Sequence, residues 1–115
     1  MSNEWIIKTL IHLGLKESDA EIYIFLAKNG PQEIRDIASS MKLDRRRLYL
    51  SLKNLQNKGA VVASEERPSR FSAVLFEKVL ASFLVAKREQ EQNLQNNKND
   101  LLSIWRSFIE RDFCE

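Results

Sequence analysis

The chain has 115 residues, 43% of them apolar and 30% charged, with 18 lysines and arginines against 16 acids for a net charge of +2. That length holds one domain with at most an appendage, and the apolar share supports a modest core rather than disorder. Three glycines and two prolines leave few breaks in a mostly helical chain, no apolar run approaches the ~18 residues of a membrane span, and the single cysteine, Cys114, excludes an internal disulfide.

The start lacks the basic stretch and apolar core of a signal peptide, so the expected location is the cytoplasm. Trp5, Ile6, Leu10 and Leu13 then recur at helical spacing up to Gly14. A second helix is expected to open on a capping box, Ser18 with Glu21, bury Ile22, Phe25 and Leu26, and stop at Gly30-Pro31. A short helix follows with Ile34, Ile37, Ala38 and Met41 facing inward. After Lys42-Leu43, Asp44 is placed to cap a fourth helix that runs to Lys58 and stops at Gly59.

The fourth helix carries an uneven share of the charge. Between positions 42 and 58 stand Lys42, Arg45, Arg46, Arg47, Lys53 and Lys58 against one acid, Asp44, while the rest of the chain is nearly balanced. A concentrated cationic segment is a local footprint for a polyanion. At 100° per residue, Leu48, Leu52 and Leu55 form the core face, with Ser51 beside them. The opposite face centres on Arg46, Leu50, Lys53 and Asn57, with Arg47 and Asn54 on one edge and Tyr49 on the other. Arg45 lies near the core border, where it suits a phosphate or an acid better than a base.

An isolated triple arginine is an ordinary solvated surface. Here the arginines stand at a helix N-terminus, the end whose dipole favours anions, so their placement opposes local electrostatics and points to an external anion. Leu50 fits either a thymine methyl or a protein-binding face.

Beyond Gly59 the period changes to two. Two β-like runs flank the polar turn "SEERPSRF" and read as a hairpin, with Arg67 and Arg70 as candidate contacts to phosphate or the minor groove. Glu65 and Glu66 oppose that charge, and a neutralised surface turn is the competing reading. From Phe76 to Phe113 there is no glycine or proline, which predicts one long helix. Its proximal residues Val79, Leu80, Phe83 and Leu84 suit the domain's own body. Its distal Leu94, Leu101, Leu102, Trp105, Phe108 and Ile109 need a partner, either a second copy or the helix that carries Trp5.

The expected fold is therefore mainly α: a winged helix-turn-helix with a two-stranded wing, an added N-terminal helix and a long C-terminal helix. Residues 1–75 form the DNA-binding domain and 76–115 the dimerisation helix. The DNA-contact set is Arg45, Arg46, Arg47, Tyr49, Leu50, Lys53, Asn54, Asn57, Arg67 and Arg70. The expected partners are double-stranded DNA, read by helix 44–58 in the major groove and by wing 65–71, and a second copy of the chain. His12 stands alone, and no zinc spacing, phosphate loop or nucleophile elbow occurs, so no catalysis, metal or cofactor is expected. The alternative function is a winged helix serving as a protein-interaction module.

From Leu10 to Val74 the chain resembles the N-terminal DNA-binding domain of the TrmB-like family of archaeal transcription regulators. The resemblance rests on Leu13-Gly14-Leu15, Ala20, Tyr23 and Leu26, Gly30-Pro31, Arg45 with Leu48-Tyr49, Leu55, Lys58-Gly59, and Arg67-Pro68 with Arg70-Phe71. It implies promoter binding as a dimer, with Arg45, Arg47 and Tyr49 at recognition-helix positions and Arg67 and Arg70 in the wing. Asp44 stands where proline is common in the family, and Glu66 where glycine is common. Long members add a sugar-binding domain, and the helical stretch after Val74 carries no sugar effector over to this chain.

Overall fold

The computed structural model describes residues 3–113, so Cys114 lies outside the described residues. Helix α1 spans Asn3–His12 and α2 spans Glu17–Asn29. Strand β1 is the two-residue Gln32–Glu33, followed by α3, Ile34–Met41, and α4, Arg45–Asn57. Strands β2, Val61–Ala63, and β3, Arg70–Ala73, precede α5, Phe76–Asn96, and α6, Lys98–Phe113.

One compact unit reaches to Phe83 and a second begins at Leu84. The core of the first is made by the residues that helical spacing singles out. Leu10 comes from α1, Ile22 and Leu26 from α2, Ile37 from α3, and Leu48, Leu52 and Leu55 from α4. Val79 and Phe83 on the first turns of α5 belong to the same core, beyond the expected boundary at residue 75.

The expected hairpin of β2 and β3 forms, and β1 joins it as a third strand, giving an antiparallel sheet in the order β1-β3-β2. Gln32 lies opposite Phe71 and Glu33 opposite Arg70. Two residues after a proline carry no readable period, and β1 exists only because β3 offers it an edge. On the other side Val61 faces Ala73 and Ala63 faces Phe71. The backbone N–H of Ser64 donates to the Arg70 carbonyl at 2.9 Å, and the Arg70 N–H donates to Ser64 Oγ at 2.9 Å, closing the base of the turn.

Two expected caps differ in the structure. Helix α2 begins at Glu17 with Lys16 as its N-cap and no side-chain cap bond, so Ser18 lies inside the first turn and the Ser18/Glu21 box does not form. Asp44 does occupy the N-cap of α4, with extended φ and ψ, but its side chain donates nothing to the cap and accepts nothing from it. Only its backbone carbonyl takes part, accepting from the Leu48 N–H at 2.9 Å.

The turn between α3 and α4 is three residues long, and it opens on Lys42 at φ 54, a left-handed conformation rare outside glycine, asparagine and aspartate. The Leu43 N–H donates to the Ala38 carbonyl at 3.0 Å and secures that bend. At the other end of α4, Gly59 at φ 76 lets the Ala60 N–H reach back to the Leu55 carbonyl at 2.9 Å, turning the chain into β2.

The expected single long helix is interrupted at Asn97. Both the backbone N–H and the side-chain Nδ2 of Asn97 donate to the Asn93 carbonyl, at 3.0 and 2.8 Å. A side chain that competes for its own helix's carbonyl four residues back disturbs the ladder without proline or glycine.

Tyr23 ties α2 to the end of β3, its Oη donating to the Val74 carbonyl at 2.6 Å. Burial raises its pKa above the ordinary 10.0. The folded state holds the neutral phenol, so this contribution is complete below pH 10 and is lost as pH rises through the higher folded value. Tyr23→Phe is expected to cost about 1–2 kcal/mol at pH 8. Urea unfolding at pH 8 and at higher alkaline pH should show the difference from wild type shrinking as the phenol ionises.

Candidate nucleic-acid interface

Helix α4 is seated by its leucine face, and that seating decides where each polar side chain goes. Its first turn holds Arg45, Arg46 and Arg47, all exposed, and no acid. Arg46 and Arg47 leave on opposite flanks.

On one flank, Arg45, Arg46, Tyr49, Leu50 and Lys53 line a broad open concavity of about 1530 Å³ shared with the wing residues Arg67, Pro68 and Ser69. Glu33 of β1 and Ile34 and Arg35 at the start of α3 close it. Five cations and one carboxylate thus surround it, and it exceeds the ~300–1,000 Å³ typical of small-molecule pockets. Its size and charge suit a polyanion. The Lys53 ammonium lies 5.6 Å from the Tyr49 ring centroid, a cation–π pair one helical turn apart that restrains both side chains.

On the other flank, Arg47 lines a smaller concavity of about 420 Å³ with Lys16 and Ser18 from the start of α2 and with Ser51 and Asn54 of its own helix. Leu50 lines both concavities and so forms the crest between them. It is 64% exposed, whereas Leu48 and Leu52 are at most 1% exposed.

Several expected contacts stand elsewhere. Asn54 turns inward, and its Nδ2 donates to Oδ2 of the buried Asp19 at 2.6 Å. That is a correction: the amide donor expected to face DNA instead docks α4 on α2. Lys58 is held in the same way, its Nζ donating to the Gly14 carbonyl at 2.8 Å, so part of the basic segment's charge fastens the helix. Asn57 is exposed at the end of α4 but lines neither concavity.

Strand alternation sends Arg70 to the face opposite the buried Phe71, and of the two wing arginines Arg67 lines the groove and Arg70 does not. Arg35 escaped the sequence reading. A first helix that crosses the backbone of the duplex was the available signal for it.

In the second unit, Leu94, Leu101, Leu102, Trp105 and Phe108 are exposed and Ile109 is half-buried. The Trp105 and Phe108 rings stack at 6.3 Å with an interplanar angle of 24°. Trp5 on α1 is also exposed, at 59%.

Comparison with known proteins gives the family and the fold. A family model described as sugar-specific transcriptional regulator TrmB matches residues 10–77. An uncharacterised protein of Methanocaldococcus jannaschii is 42% identical over 48 residues, a match covering 42% of this chain and 36% of that protein's own length. TrmBL2, described as an archaeal chromatin protein with a novel mode of DNA binding, superposes with a TM-score of 0.79 at 20% identity over 96% of this chain and 42% of its own. A protein from the thermoacidophilic archaeon Sulfolobus tokodaii gives 0.65 at 20% identity, over 81% of this chain and 98% of its own. A possible transcriptional regulator from Methanosarcina mazei gives 0.64 at 15%, over 87% and 88%. At these identities the solved structures establish the winged-helix fold. The chain spans about a third of the curated relative and less than half of TrmBL2.

Proposed function

The chain belongs to the TrmB family of transcriptional regulators, and from that premise we propose that it binds double-stranded DNA sequence-specifically as a homodimer and acts in the cytoplasm as a regulator rather than an enzyme. The observation that carries this reading is the groove between α4 and the wing, whose lining holds Arg35, Arg45, Arg46, Lys53 and Arg67 against Glu33 alone. Side chains of this kind bond phosphates and purine edges, and a helix of this diameter enters the major groove. Arg67 then meets the backbone or minor groove beside it, while Arg47, with Lys16, reaches phosphate on the far flank.

The homodimer rests on the second unit. Leu94, Leu101, Ile104, Trp105 and Phe108 remain exposed in the single chain, and monomers seldom leave so much contiguous apolar surface uncovered. A second copy of α6 covers it and brings two α4 helices to one duplex. Among the described residues no helix is long and apolar enough to cross a membrane.

Selection from a randomised duplex pool tests the reading. The expected product is an inverted repeat with half-sites about one helical turn, ~34 Å, apart. Salt-sensitive binding without sequence enrichment would leave DNA binding but remove specificity. Failure to bind any duplex would move the function to protein interaction.

A further inference from the structure

We infer that Leu50 is a specificity-determining residue that reads the 5-methyl group of a thymine, one in each half-site; the inference rests on the DNA-binding reading above. Leu50 projects from the middle of α4 with Arg46 and Arg47 one turn before it and Lys53 one turn after. It is 64% exposed, the most exposed apolar side chain of α4, and it alone among the described residues lines the concavities on both flanks. It is therefore the crest of the element, with cations on both sides.

A helix entering a groove flank-on to both phosphate walls sends its crest deepest. There the cations have phosphates and purine acceptors to bond, but an isobutyl group has nothing polar to offer. On the major-groove floor the apolar group a base pair presents is the thymine C5-methyl; guanine, adenine and cytosine present acceptors and amino donors. A leucine driven against those polar groups would strip their water without replacing the hydrogen bonds, which penalises the other bases at that step. The same residue thus favours thymine and disfavours its competitors.

The experiment takes the preferred duplex from the selection above and replaces each thymine in turn by deoxyuridine, which removes the methyl and leaves base pairing unchanged. Binding is measured by fluorescence anisotropy for wild type and Leu50→Ala, with thermal melting to confirm that the variant folds. At one thymine per half-site the wild type should lose about fourfold in affinity, the loss of one buried methyl-sized group. Leu50→Ala should bind the thymine and uridine duplexes alike at that position. A wild type indifferent to every uridine, or a Leu50→Ala protein that keeps the same penalty, overturns the assignment while leaving DNA binding intact. Absence of binding to any duplex by the wild type overturns the DNA reading itself and marks Leu50 as a protein contact.

Discussion

Replacing Arg46 and Arg47 together by alanine is expected to flatten the salt dependence of duplex binding by about 1.8 in the log–log slope per subunit, 0.9 for each phosphate contact removed. The two side chains lie on opposite flanks of α4, one in the groove with the wing and one beside the start of α2, so neither can substitute for the other. At roughly 1.5 kcal/mol or more for each charged hydrogen bond, affinity should fall about tenfold per arginine. Fluorescence anisotropy against a salt series reads both quantities.

Stability should not fall with affinity. Both arginines are exposed and stand at the helix end whose dipole repels cations, so the melting temperature should hold or rise slightly. An unchanged slope would show that the cationic end of α4 does not touch the phosphates. A loss of folding would mean that the arginines fasten the helix, as Lys58 does through Gly14.

The second large effect is in the seat of the same helix. Leu48 is fully buried between two exposed neighbours, Arg47 and Tyr49, and Leu48→Ala is expected to destabilise the protein by about 2–5 kcal/mol. Against a total of about 5–15 kcal/mol for a domain, that loss leaves a substantial unfolded fraction and removes DNA binding with it. Leu50→Ala, two residues along, should change stability by no more than about 0.5 kcal/mol. Urea unfolding followed by far-ultraviolet circular dichroism gives the comparison. Equal costs at the two positions would contradict the orientation of α4 on which every contact above depends.

That orientation was legible in the chain. Leucines at 48, 52 and 55 recur with the helical period, and the positions opposite them are Arg46, Leu50 and Lys53, so one rotation places both the core and the groove face. The stops at Gly30-Pro31 and Gly59 were equally visible, because a glycine at positive φ and a following proline act on their immediate neighbours. The resemblance over residues 10–74 pointed to the family, whose model matches residues 10–77.

What the periodicity could not show is which polar side chain a distant residue would claim. Asn54 and Arg47 share an edge of the helical projection, yet Asn54 is bonded to Asp19, 35 residues away, and Arg47 stays free to meet a ligand surface. Arg67 and Arg70 look alike in the wing sequence, but Arg67 stands in the turn and lines the groove, while Arg70 is paired with Glu33 in the sheet and does not line it. The strand β1 belongs to the same class, whereas the unformed box at Ser18 and the Asn97 interruption are local: one is a helix start at Glu17, the other a side chain bonded four residues back to Asn93. By itself the sequence determined the first four helices, their buried faces and the place of the cationic stripe, because these follow from spacing within a few turns of one segment. Only the tertiary structure decided which members of that stripe remain available, because hydrogen bonds and strand pairings between segments far apart in the chain compete for the same side chains.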